Sequence, residues 1–497
     1  MRRRNRSPVR SRSDYDSAIH RCKVEARKTL AKIRRLEGEE EHAKAKALER
    51  QLLRSWPLRL WAAHRAQIAL LDLARKAARR TGNDWEQNLD WREVIRVAED
   101  TKLWAECQET IGLRAETKPK GGFRRIYQFG MEYRARHQMI LLVLRNRVQL
   151  HPGQMAPVRG LRVAQRQIAH ELESDDLKWV AVTDVVDCYS NINPAALSDV
   201  LRLPDQVIES NVDLKHKQID PAQLRKMKRK EGLYETFRNN TDEEEAERIS
   251  YVRELPLTIS MLHGRLGIPT GASCSPIIAE AVIAKILEGA PTDVRIYTWV
   301  DDIIILGKTK IAVQRAFESL RDAFASAQSG PFWLKTPRIR RVADPFEFIG
   351  YGFQRRKGRV TVKPSYKNFK RLEYEVASWL HEIQWNGQGE TELRLFMKGW
   401  TNVFADWSEI GKIQRRVEYK IGLARMTHRN IVSRPNGRTP EEVSRSLKVL
   451  RWYFPAPKTP KNPAASVLDG GSARREFEEY DVARRQYINR SRVVEPA

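Results

Sequence analysis

Residues Tyr297 to Gly307 read YTWVDDIIILG, an aromatic and β-branched run interrupted by two adjacent aspartates. The flanks call for buried β-strands, yet a buried carboxylate costs several kcal/mol unless a partner or an ion compensates it. Neighbouring residues of a regular strand point to opposite faces, so Asp301 and Asp302 reach one site only if the chain turns at them. The run is therefore expected to be a β-hairpin with acids at its tip. Taken alone, such a pair is better explained by a solvent-exposed turn than by a functional site.

A second stretch changes that balance. Trp179 to Asp184 reads WVAVTD, a short β-rich run that also ends in an acid. Two apolar strands ending in carboxylates can bring Asp184, Asp301 and Asp302 to one sheet edge, where oxygen donors suit a hard divalent cation such as Mg²⁺. The net charge of +27 concentrates polyanions around the chain. A phosphodiester or a nucleoside triphosphate is then the expected substrate, and two ions can activate a 3′-hydroxyl and stabilise departing pyrophosphate. Cys22, Cys107, Cys188 and Cys274 lack C-x-x-C spacing and the ten histidines form no H-E-x-x-H pattern, which argues against a disulfide framework or a zinc site. No run approaches the roughly 18 apolar residues of a bilayer span, and MRRRNRSPVRSRSD lacks a signal-peptide core. A cytoplasmic protein without membrane attachment is expected.

The length of 497 residues suggests about three units. Residues 1–13 form an arginine-rich arm expected to be disordered. Residues 14–111 are helix formers with apolar positions such as Leu52, Leu58, Leu60, Ile68 and Leu71, and Pro57 is expected to break residues 14–80 into two helices. Lys118 to Gln128, KPKGGFRRIYQ, has a Gly-Gly turn between basic flanks, the pattern of a β-hairpin; a helix is expected from about Met131 to Leu150. Residues 204–254, with RKMKRK and DEEEAE, read as an exposed helical insertion. Beyond Tyr351 the chain turns basic and helical to about residue 455, followed by a polar tail over 456–497.

These stretches, in this order, resemble the motifs of reverse transcriptases. DVVDCYSNI (Asp184 to Ile192) resembles motif A, whose first Asp binds both metals and whose aromatic five positions on, here Tyr189, gates the sugar. GIPTGASCSP (Gly267 to Pro276) is similar to motif B and WVDD to motif C. LKT (Leu334 to Thr336) is similar to motif D, FIGY (Phe348 to Tyr351) to the primer grip, and KPKGGFRR (Lys118 to Arg125) to the fingers hairpin. The likeness covers roughly residues 112 to 355 well and the following helices weakly. Trp299 stands where motif C usually has tyrosine, and Ala279-Glu280 replaces the Ala-Asn common in retron and group II intron enzymes, which brings the chain nearer to abortive-infection and other phage-defence reverse transcriptases.

The resemblance implies an α+β right-hand polymerase: a helical N-terminal extension (14–111), fingers and palm (112–355) and a helical thumb (356–455). It implies two Mg²⁺ ions, replaceable by Mn²⁺, held by Asp184, Asp301, Asp302 and the Val185 backbone. Lys118, Arg124, Tyr189, Thr270 and Gly271 would bind the nucleotide, and Phe348, Ile349, Gly350 and Tyr351 the primer. Glycines at 267 and 271 let the backbone approach a nucleotide closely, and Ser273 and Ser275 are expected to cap the next helix. Lys335 is either a general acid for pyrophosphate or a phosphate contact; Asp187 is expected to be structural. The expected activity is RNA-directed DNA synthesis in bacterial antiphage defence, with dNTPs, an RNA template, a dedicated noncoding RNA and a DNA product as partners, and self-association allowed. Template-independent or protein-primed DNA synthesis, a retron or intron enzyme, an RNA-dependent RNA polymerase and a basic RNA-binding scaffold are the alternatives.

Overall fold

The computed structural model describes residues 9, 11–81, 88–117, 123–156, 160–215, 217–223, 225–226 and 267–432. The helix-forming run after Ser11 folds as three helices, not two: α1 (Arg12–Gly38), α2 (His42–Leu53) and α3 (Trp56–Thr81). Ser11 opens α1 with a capping box, its hydroxyl accepting from the Asp14 N–H while its own N–H donates to the Asp14 carboxylate at 3.0 Å. Pro57 is the second residue of α3, where its missing N–H would be unsatisfied in any case, so it starts a helix rather than breaking one. Leu30, Ile33, Leu52 and Leu58 from these helices share a core with Met139 to Leu144 of α5 (Met131–Arg147). Asp90 caps α4 (Trp91–Asp100) by accepting from Arg92 and Glu93 amides.

The basic hairpin forms as expected: β1 (Gly112–Thr117) pairs antiparallel with β2 (Phe123–Gln128). Residues 118–122, Lys118 and the Gly-Gly pair among them, lie outside the described residues, as do most of the N-terminal arm and the tail. The expected insertion at 204–254 is corrected at its start. There α9 (Asp205–Asn211) buries Val207 and Ile208, and Val212 and Leu214 behind it are also core, because this amphipathic turn packs inward ahead of the charge runs. Residues 227–254 lie outside the described set.

The sheet that carries the acids has the order β4-β5-β3-β6, every pair antiparallel. Its strands are β3 (Trp179–Asp184), β4 (Arg295–Trp299), β5 (Asp302–Gly307) and the short β6 (Arg340–Arg341). Ile303 to Leu306 are fully buried, which is why β5 is a continuous apolar run instead of an alternating one. The preceding helix α6 (Leu161–Glu173), the small α7 (Cys188–Asn191) and α8 (Leu197–Leu201), and α10 (Ser275–Leu287) flank it in sequence, and α11 (Lys310–Ser326) packs on β3 and β5. A second sheet of order β7-β8-β9 follows (Phe346–Phe348, Tyr351–Arg356, Arg359–Pro364). The expected helical region therefore begins ten residues late, at Tyr366: Arg356 to Pro364 is turn and strand, as the alternation of RVTVKP requires.

Three long helices complete the described chain, α12 (Tyr366–Asn386), α13 (Glu390–Val403) and α14 (Ile410–Val432). The chain divides into two compact units, residues 1–372 with 391–416 and residues 373–390 with 417–497. In the first, Asp406 accepts bidentate bonds from Arg162 and from Arg166, at 2.7–3.0 Å. In the second, the Arg425 guanidinium forks onto the Glu390 carboxylate and Gly387 has φ +66 beside the His428 ring. The architecture is mixed α+β, and among the described residues no helix is long and apolar enough to cross a membrane.

Candidate active site

Strand register places the acids. Asp184, the last residue of β3, lies directly opposite Asp302, the first of β5, and Asp301 occupies the two-residue turn between β4 and β5. The two adjacent aspartates thus sit at a turn, as their spacing demanded. Val185 continues from Asp184, donating its N–H to the Asp301 carbonyl at 2.8 Å. The Lys335 amide donates to the Asp184 carbonyl at 3.1 Å, and the Lys335 ammonium donates to the Asp184 carboxylate.

Charge is crowded here. Burial, reinforced by Asp301 and Asp184, pushes the Asp302 carboxyl up to about 6, against the pull of Lys335 and Lys367. Burial and then Asp184 also hold Asp301 above the usual carboxylate range, opposed by its own backbone, Arg124 and Lys335. Among the described residues no three His, Cys, Asp or Glu side chains are gathered as a ready-made metal cage. The donor chemistry nevertheless fits a hard cation: an oxygen-only set whose carboxylates repel one another, with Lys335 as the nearest countercharge.

The turn that presents Asp301 is strained. Val300 has φ +56, a left-handed conformation that a β-branched side chain adopts at a cost of roughly 1–3 kcal/mol. Glu280, 1% exposed in the middle of α10, holds it there: its carboxylate accepts from the Val300 N–H at 3.0 Å. Gln154 donates to the same carboxylate at 2.5 Å and to the Glu280 carbonyl at 2.8 Å. Burial pushes Glu280 up to about 7, with the Val300 amide and Gln154 opposing and Asp301 adding to the rise. Sequence reasoning treated Glu280 only as a subfamily mark and missed this role. The available signal was one carboxylate inside the otherwise apolar SPIIAEAVI. Glu280→Leu would orphan the Val300 and Gln154 donors and is expected to cost about 3 kcal/mol in urea unfolding, while Glu280→Gln, keeping one acceptor, should cost less than half of that. Equal losses would remove the carboxylate from this account. Trp299 pairs with Asp302 across the turn and is partly buried.

The motif B glycines lie close to backbone, but it is the protein's own. A Cβ on Gly267 (φ +63) would meet the Tyr189 carbonyl at 2.3 Å, and one on Gly271 (φ +112) the Tyr127 carbonyl at 2.5 Å. Ile268 donates to the Tyr189 carbonyl, and Tyr127 donates to the Thr270 carbonyl, both at 2.9 Å. This loop therefore fastens Tyr189 on one side and β2, which carries Arg124, on the other. Tyr189 is partly buried against the core, and burial raises its phenol, with Asp301 adding and Arg124 opposing.

Other expectations change. Neither serine caps α10: the Ser275 hydroxyl donates to the Pro269 carbonyl at 2.7 Å, and the buried Ser273 hydroxyl finds no partner among the described residues. Asp187 stands at the start of α7 in a left-handed conformation, accepting through its backbone carbonyl and making no side-chain cap. Of the four residues expected to grip a primer, Phe348 and Tyr351 are 2% exposed. The Tyr351 hydroxyl donates to the Val403 carbonyl at 2.6 Å, so only the turn residues Ile349 (φ +45) and Gly350 (φ +83) are presented outward. The chain matches no family model and no curated protein.

Proposed function

We propose that this chain is an RNA-directed DNA polymerase of right-hand architecture, with the β4-β5-β3-β6 sheet as palm, β1-β2 as part of the fingers and α12 to α14 as thumb. One observation carries the reading: Asp184 faces Asp302 in strand register, with Asp301 in the adjoining turn and Tyr189 five residues beyond Asp184. The ordered motif resemblance supports the same reading. The defence setting and a dedicated noncoding RNA rest on the likeness around motif B and on the +27 charge.

Asp184 and Asp301 would hold two Mg²⁺ ions, with Asp302 and the Val185 carbonyl in support. When bound, such ions favour ionisation of a primer 3′-hydroxyl and neutralise charge on pyrophosphate. Arg124, whose charge is felt at Asp301, would bind the triphosphate in the forked manner of guanidinium. Lys335 brings an ammonium donor to the Asp184 edge, suited to proton donation or to phosphate contact. The Tyr189 ring excludes a 2′-hydroxyl, and the Ile349-Gly350 turn supports the primer end.

Primer extension tests the proposal: deoxynucleotides should be added on an RNA template with Mg²⁺. Productive extension with ribonucleotides alone would overturn DNA synthesis as the activity, and homopolymer made by nuclease-treated enzyme without template would favour the template-independent alternative. Tyr189→Ala is expected to raise ribonucleotide use relative to deoxynucleotide use by about 10- to 100-fold, the scale on which shape discrimination operates. Unchanged sugar preference would take Tyr189 out of the gate role.

A further inference from the structure

The acid-bearing sheet has a second end, which the proposed chemistry does not use. β3 runs from Asp184 back to Trp179, five residue steps or about 17 Å, and β8 runs the same number of steps from Tyr351, beside the outward turn, to Arg356. The two ends meet there: Arg341 pairs with Trp179, Val342 donates to the Lys178 carbonyl at 3.0 Å, and Arg355 donates its N–H to the Val342 carbonyl at 2.9 Å. The β8-β9 turn then presents Arg356, Lys357 and Arg359, all exposed, next to exposed Lys178 and Arg341.

Two of the acids nearby lie against other cations. Asp176 pairs with Lys308 at 3.0 Å and Asp175 lies 3.9 Å from Arg355. Among the described residues Lys178, Arg341, Arg356, Lys357 and Arg359 make no ion pair. Arg341 instead lies over the Trp179 ring at 5.5 Å, a guanidinium held in place by an aromatic face. Arg340 alongside is held below its ordinary value by burial and by Arg338, with Asp344 opposing. An ordered set of like charges outside any ion pair, with Asp176 acting on Lys178 only at longer range, suits a polyanion that brings many charges at once. β6, β8 and β9 expose no large apolar side chain, which disfavours a lipid surface, where apolar insertion adds to charge.

We infer that the Trp179/Arg341 end of the palm sheet and the Arg356–Arg359 turn form a docking surface for the phosphodiester backbone of a polynucleotide, remote from the acids. This rests on the polymerase reading for its biological sense but is tested independently of it. At 3.4 Å per nucleotide step, 17 Å corresponds to about five steps, so only a strand longer than the active end can occupy both places.

The test measures fluorescence anisotropy of the full chain in the Asp301→Asn background, which removes turnover, with 4- and 40-nucleotide single-stranded RNAs of mixed sequence, the shorter spanning only about 10 Å. Arg356→Glu/Lys357→Glu/Arg359→Glu should raise the Kd for the 40-mer at least tenfold. It should also lower the slope of log K against log salt by about 2, the yield of three phosphates at roughly 0.7 each, with the 4-mer unchanged. Arg341→Ala should weaken the 40-mer in the same direction, and melting temperatures check that both variants fold. A 40-nucleotide DNA that loses affinity equally assigns the contact to the shared backbone; a loss confined to RNA assigns it to the ribose as well. Unchanged 40-mer affinity and slope overturn the surface, as does equal weakening of both lengths, or a loss seen only on phosphatidylserine vesicles. Failure of the wild type to extend a primer, with 40-mer binding still lost in the variants, would instead overturn the polymerase reading.

Discussion

Asp301→Asn is expected to reduce deoxynucleotide addition by at least 1,000-fold, about 4 kcal/mol in the barrier, while making the metal-free protein more stable. Both effects have one cause. The Asp302 carboxyl is raised by burial, then by Asp301 and Asp184, and the Asp301 carboxyl by burial, then by Asp184, so their ionised forms are uphill in the folded chain. Asp301→Asn removes one buried charge together with its repulsion and deletes the oxygen ligand that the proposed synthesis requires. The pH dependence has a definite sign. A group whose folded pKa exceeds its unfolded value stabilises most below the unfolded value, near 4 for Asp. That contribution is lost as pH rises through about 6, the folded value for Asp302. Without metal, thermal stability should therefore fall from pH 4 toward pH 7, whereas synthesis, which needs the ionised carboxylates, should rise through the same range. Added Mg²⁺ at pH 7 should raise the melting temperature of the wild type and not of Asp301→Asn. A metal-free melt insensitive to pH in both proteins would dispose of the repulsion account.

Gly267→Ala should be strongly damaging although it adds a single methyl group. The backbone is left-handed at φ +63, and the new Cβ would lie 2.3–2.5 Å from the Tyr189 carbonyl, the Ser190 Cα and the Ser190 carbonyl, none of which can swing aside. Strain and displacement together are expected to cost about 3 kcal/mol, seen as a lower urea midpoint at unchanged slope. Moving the Tyr189 backbone should also blunt sugar selection. Gly160→Ala is the control: open space surrounds that position, and a change under about 1 kcal/mol is expected. Equal effects at the two glycines would mean that Gly267 is not held against the Tyr189 loop.

Strands were legible where hydrophobic pattern and punctuation coincide. WVAVTD and DIIILG are strands with the expected bounds, and the strand of YTW begins two residues earlier, at Arg295, because uninterrupted β-branched residues between turn residues have no competing helical reading. Helix boundaries were less legible. Pro57 suggested a break but serves as a first-turn residue, and the actual breaks fall at Glu39 to Glu41 and at Arg54 and Ser55. RVTVKP was hidden by the basic residues around it, since its partner in β8 is fixed by sheet pairing.

What the sequence by itself determined is the identity and spacing of the acids, the turn between Asp301 and Asp302, and the alternation or continuity that makes their flanks strands. Those properties are local, set by side-chain period and backbone preference. Only the tertiary structure decided that Asp184 falls opposite Asp302, that Lys335 reaches Asp184, and that Gly267 and Gly271 spare the chain its own backbone. It alone decided that Glu280, 20 residues from Val300, holds the amide of a strained valine. Such contacts join residues far apart in the chain, and their energies depend on burial and on neighbouring charge, which exist only once the sheet and helices have packed.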